Sequence, residues 1–104
     1  MLTEEIFGPV MSIIPFATLD EAVRAANDSV YALQAGVFTT SLDTGFQLAR
    51  QLVAGAVVVN ETSDYRIDAL PFGGFKSSGI GREGVRFAVE AMTEPKNVIV
   101  NLGC

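Results

Sequence analysis

The chain has 104 residues, 49% of them hydrophobic and 18% charged, with a formal net charge of −5. This is a globular composition, and it offers no cluster of Lys or Arg to hold phosphate backbones, which excludes nucleic acid as a partner. No apolar run reaches the ~18 residues of a membrane span. A single cysteine and the absence of histidine exclude a disulfide framework and Ser-His or Cys-His pairs, and leave too few ligands for a zinc centre.

In chain order, the N-terminus MLTEEIFG lacks the basic start and apolar core of a signal peptide. With one cysteine, a cytoplasmic location is expected. The first apolar run, Val10 to Phe16, predicts a strand, with Pro15 placing its end at an edge or bulge. Thr18 can then cap a helix, and Glu21 can reach back to complete a capping box. Leu19, Ala22, Val23 and Ala26 recur at helical spacing, and Asn27-Asp28-Ser29 ends the helix. Leu33 to Thr39 predicts a second buried strand. Ser41 caps a second helix, striped by Leu42, Phe46, Ala49, Leu52 and Val53 and stopped by Gly55. Ala56 to Asn60 is β-branched and apolar on both faces, as a strand inside a parallel sheet is. Strand, helix, strand, helix, strand with short connections predicts two right-handed βαβ crossovers.

The pattern changes at residue 61. Residues 61–82 are polar, glycine-rich and aperiodic, which is long for a connection in a compact domain and points to function. Tyr65, Ile67, Leu70, Phe72 and Phe75 give that loop apolar groups to pack, which argues against disorder. A third helix is expected from about Glu83, with Val85, Ala88, Val89 and Met92 on one face and Thr93-Glu94-Pro95 at its end. Asn97 to Leu102 predicts a final strand.

Within the loop, GIGREG at 79–84 fits G-x-G-x-x-G. A dinucleotide turn needs a strand directly before it and an acidic residue about 20 residues on, at the end of the second strand. Here PFGGFKSS precedes it and the chain ends at Cys104. The expected role of these glycines is positive φ and a tight turn into the third helix.

Two longer stretches carry a resemblance. EEIFGPVMSIIPF at 4–16, continuing through AANDSVYALQAGVFT at 25–39, and VVVNETSDYRIDALPFGGFKSSGIGREG at 57–84 together resemble the C-terminal part of the NAD(P)-dependent aldehyde dehydrogenases. The motifs E-x-F-G-P-V and P-F-G-G-x-K-x-S-G-x-G-R-E, in this order and spacing, are highly specific. The stretch SDYRIDALPFGG resembles the subgroup acting on lactaldehyde, glyceraldehyde 3-phosphate or phosphonoacetaldehyde. The resemblance implies that PFGGFKSSGIGRE leads toward the oligomerisation element and does not cradle cofactor phosphates.

It also implies roles for particular residues. Glu5 matches the glutamate that hydrogen-bonds the nicotinamide-side ribose, and Phe7 the ring that packs near the nicotinamide of NAD or NADP. Read without the motif, they are a solvated acid and a core phenylalanine. Asn60, at the C-terminal end of a buried strand, would border the substrate tunnel; its other reading is a strand-terminating turn residue. Phe72 would line the aldehyde pocket, with Tyr65 in the same loop. Arg66 places a guanidinium there, suited to an anionic or hydroxylated aldehyde. A surface arginine paired with Asp64 or Asp68 is the alternative. Lys76 and Arg82 read as structural, and Glu83 as a helix-start acid.

Cys104 follows a strand, has no visible base or helix N-terminus to lower its pKa, and does not match the family's nucleophile. No catalytic residue and no metal ligand is therefore assigned. The expected fold is α/β, a three-layer parallel-sheet segment with two βαβ units. Residues 1–82 belong to the catalytic domain, with the substrate-facing loop at 61–75, and 83–104 form a helix–strand tail toward the oligomerisation element. Two functional expectations follow. The chain is part of a dehydrogenase of small aldehydes and is inactive alone, or it is a freestanding remnant that self-associates through its last helix and strand.

Overall fold

Thr18 opens helix α1 (Leu19–Asn27) as the composition of the segment demands. Its Oγ1 accepts the Glu21 N–H at 3.2 Å, and Glu21 Oε2 accepts the Ala17 N–H at 2.9 Å. One amide donor that α1 cannot satisfy internally is thus paired, while the Glu21 carboxylate reaches past the N-cap to the Ala17 amide instead of closing a capping box on Thr18. Ser41 does the same for α2 (Leu42–Gln51), accepting the Thr44 N–H at 3.2 Å. These elements belong to a computed structural model that describes residues 4–103.

Four short strands accompany the helices. β2 (Gln34–Val37) and β3 (Ala56–Val59) pair in parallel, with Gln34 opposite Ala56 and Val37 opposite Val59. Helix α2 connects them, so β2–α2–β3 is one βαβ unit. Among the described residues the buried apolar side chains are Ala32, Val37 and Leu48. β1 (Tyr31–Ala32) pairs antiparallel with β4 (Phe75–Lys76), a second small sheet that the sequence pattern did not announce. Helix α3 (Val85–Ala91) follows the long loop.

Three expectations are corrected. Val10 to Phe16 and Asn97 to Leu102 are extended but join no ladder among the described residues, so one βαβ unit forms rather than two. An apolar β-branched run becomes a strand only when a neighbour takes its N–H and C=O groups, and pattern alone cannot supply that neighbour. Helix α3 starts at Val85 with Gly84 as its N-cap at φ 117°, two residues later than expected. Glu83 is held outside the helix because its backbone exchanges both hydrogen bonds with Phe72, at 3.1 and 2.6 Å.

The glycines of GIGREG serve backbone conformation. Gly79, Gly81 and Gly84 all have positive φ, at 132°, 77° and 117°. Gly55 serves close approach instead: a Cβ there would overlap the Gly73 carbonyl and press on the Leu33 carbonyl.

The molecule is long, 72 × 33 × 22 Å, with a radius of gyration of 19.3 Å. A compact chain of this length would have a radius of about 13 Å. Its accessible surface, 8749 Å², likewise exceeds the roughly 5,600 Å² of a compact monomer of its mass.

Candidate functional site

The loop after β3 folds back over the sheet because three sets of hydrogen bonds hold it. Gln34 Nε2 donates to the Tyr65 carbonyl at 3.1 Å, tying the loop to β2. The Leu70 N–H donates to the Ile67 carbonyl at 3.0 Å, closing a turn before Pro71. The Phe72–Glu83 exchange then fixes the loop's far end. Between loop and sheet lies a cleft of about 410 Å³. Gln34, Tyr65, Arg66, Leu70 and Phe72 line it, with Ala56 to Val58 of β3 on the opposite side.

The structure therefore brings Tyr65, Arg66 and Phe72 to one wall. The Arg66 guanidinium lies 4.5 Å from the centroid of the Phe72 ring, a cation–π distance. Its Nη2 contacts Glu83 Oε2 at 3.1 Å and its Nε contacts Asp68 Oδ1 at 3.3 Å. Two carboxylates thus share one cation. The Arg66 side chain is 41% exposed, so each pair contributes at most ~1 kcal/mol, and the local charge is net negative. These contacts orient the guanidinium plane along the wall more than they stabilise the fold.

Asn60 is placed elsewhere. It ends β3 at φ 60°, donates its N–H to the Val37 carbonyl at 2.7 Å, and accepts the Thr39 N–H on Oδ1 at 2.8 Å. Its side chain thereby extends the β2–β3 ladder by one rung. Asn60 borders a separate depression of about 920 Å³ with Phe38, Thr39, Leu42 and Val59. Glu5 and Phe7 lie in the N-terminal segment and do not line the cleft, and Phe7 is 95% exposed. Cys104 lies outside the described residues. Among those residues no group of three or more His, Cys, Asp or Glu side chains is arranged to hold a metal.

Sequence reasoning missed Gln34 and Asn27. Gln34 is the one polar side chain in an otherwise apolar strand, and that anomaly could have marked it. Asn27 reads only as a helix breaker. In the structure its Nδ2 donates to the Gln51 carbonyl and its Oδ1 accepts the Val53 N–H, both at 2.8 Å, clamping the end of α1 to the end of α2. Lys76 and Arg82 are anchors. Lys76 Nζ donates to the carbonyls of Asn27 and Ser29 at 2.7 and 2.8 Å. Arg82 Nη1 donates to those of Gly74 and Gly81 at 3.2 and 2.6 Å.

Sequence and fold comparisons agree with this architecture. Residues 1–98 match the aldehyde dehydrogenase family. The chain is 52% identical over 98 residues to aspartate-semialdehyde dehydrogenase 1 of Pseudomonas canavaninivorans, covering 94% of this chain and 21% of that protein. It is 43% identical over 99 residues to 3-sulfolactaldehyde dehydrogenase of Priestia aryabhattai, covering 95% of this chain and 21% of the relative. The NAD+ complex of an aldehyde dehydrogenase from Bacillus cereus superposes with a TM-score of 0.90 at 46% identity, over 97% of this chain and 20% of that one. The chain belongs to the aldehyde dehydrogenase family, and it spans about a fifth of the length of these relatives.

Proposed function

We propose that this chain supplies one wall of the aldehyde pocket and the nicotinamide-side ribose contact of an NAD(P)-dependent aldehyde dehydrogenase. The substrate is a small aldehyde bearing an anionic or hydroxyl group, oxidised to its carboxylate. The observation that carries the reading is the clustering of Tyr65, Arg66 and Phe72 on one cleft. The relatives' names support the substrate class, since aspartate semialdehyde carries a carboxylate and 3-sulfolactaldehyde a sulfonate and a hydroxyl.

Each residue has a definable task. Arg66 contacts Glu83 and Asp68 through Nη2 and Nε, leaving its Nη1 donors to meet a carboxylate, sulfonate or hydroxyl on the substrate. Phe72 and Tyr65 present apolar surface to the carbon chain and keep water from it. Glu5 has the chemistry for a ribose diol, since one carboxylate accepts from two hydroxyls. Phe7 supplies a ring against which a nicotinamide can rest. When bound, NAD or NADP supplies the hydride acceptor; this chain's part is to place it and the aldehyde. Asn60 serves the pocket indirectly, by ending β3 so that the loop departs in the right direction.

A second reading is favoured by one observation. Val98, Ile99 and Val100 are an exposed apolar run in extended conformation, with Ile99 92% exposed. Such a run is a template for pairing with another copy, so the chain self-associates through its last helix and extended segment.

The test is an NADH-absorbance assay with lactaldehyde and succinic semialdehyde. The 104 residues alone give no turnover, whereas the enzyme that carries them oxidises one or both. Turnover by the isolated chain would overturn the assignment of catalysis to residues outside it.

A further inference from the structure

Lys76 occupies a strained position. Its φ is 50°, one of two non-glycine residues with positive φ among those described. Such strain persists only where the surroundings over-determine it. Here the surroundings are explicit. The Lys76 ammonium binds the Asn27 and Ser29 carbonyls, at the C-terminal end of α1, where a cation is favoured by the helix dipole. The Ser77 N–H donates to the Val30 carbonyl at 3.0 Å, and Ser78 Oγ accepts the Ala32 N–H at 2.8 Å. Residues 76–78 are thus stitched to residues 27–32. On the other side, Asn27 is clamped to Gln51 and Val53 at the end of α2. The Lys76 side chain reaches the end of α1 itself, while Ser78 holds the strand that follows, and the two tie the excursion between Phe72 and Glu83 to this corner.

That excursion carries the pocket wall at both of its ends. Phe72 and Glu83 are its closing pair, and Arg66 lies on the Phe72 ring and bonds Glu83. Lys76 stands in this excursion four residues after Phe72, whose ring carries the Arg66 guanidinium. We propose that Lys76 is a positioning residue for aldehyde binding: its ammonium sets how far the Phe72–Arg66 wall stands from β3. The proposal rests on the functional reading above for its kinetic consequence, but its structural consequence stands without it.

The experiment compares Lys76→Met, which keeps the stem, and Lys76→Arg, which keeps the charge, with the parent, in the enzyme that carries this chain. Amide hydrogen exchange is measured first. Lys76→Met is expected to speed exchange at Tyr65, Leu70 and Phe72 about tenfold, as loss of charge-assisted hydrogen bonds does, and Lys76→Arg to restore most of the protection. In kinetics, Lys76→Met is expected to raise KM for the aldehyde about tenfold while KM for the cofactor and kcat change less than threefold. Exchange that speeds only within residues 27–32 and 76–78, with an unchanged aldehyde KM, would make Lys76 a staple and overturn the proposal. If the parent enzyme oxidises no aldehyde, the functional reading fails, and hydrogen exchange still decides the role of Lys76.

Discussion

At Asn60 a single side chain does two jobs that no other residue does as cheaply. It tolerates the left-handed conformation and returns an oxygen to the Thr39 N–H. Asn60→Ala removes the bond and leaves the left-handed conformation without the polar side chain that makes it tolerable, so urea unfolding should show a loss of about 2 kcal/mol. Asn60→Gly keeps the conformation accessible and should cost about half as much. Arg66 is argued from the same kind of geometry. Its planar fork faces two carboxylates and a ring at once, which a lysine ammonium cannot reproduce. Arg66→Lys in the enzyme that carries the chain should raise KM for an anionic aldehyde about tenfold and leave KM for the cofactor unchanged, as measured by initial rates.

The helices show what the sequence made legible and what it did not. Both N-caps were readable, because Thr18 and Ser41 stand one residue before the apolar period begins. Thr18→Ala and Ser41→Ala should each lower stability by about 1 kcal/mol in thermal unfolding followed by far-UV circular dichroism. The β2–β3 pair was readable from unalternating apolar runs around an amphipathic helix. The runs at 10–16 and 97–102 carry the same local signal, yet they find no ladder, because pairing is a property of two segments and the pattern describes one. The antiparallel β1–β4 contact was illegible for the opposite reason: two residues on each side are too few to show a period. In the candidate site, the aromatic and charged residues of the loop stood out by type. Their grouping did not, since Asn60 is adjacent in sequence to the loop and still borders a different depression. Gln34 stands 31 residues before Tyr65 and holds it.

Across the molecule, the dominant fact is surface. Among the described residues three apolar side chains are buried, while Phe38, Phe46, Val85, Met92 and the 98–100 run stand exposed. Burial on that scale cannot offset the chain entropy of 104 residues by a wide margin. The isolated chain should therefore bind an apolar dye such as ANS strongly and sediment as species larger than a monomer at micromolar concentration. Ile99→Lys should reduce that self-association by placing a charge on the pairing edge. A monomeric, dye-silent chain would show that the exposed runs fold onto the body in solution.

Gly55 gives the cleft a dimension that can be adjusted. Because the Gly73 carbonyl rests where a Cβ of residue 55 would stand, the loop and the sheet meet there at the thickness of bare backbone. A single added methyl acts as a shim. It would press on backbone on two sides, the Gly73 and the Leu33 carbonyls, so that loop or strand must give way. The spacing of loop and sheet at this joint is thus held by a residue that carries no functional group at all.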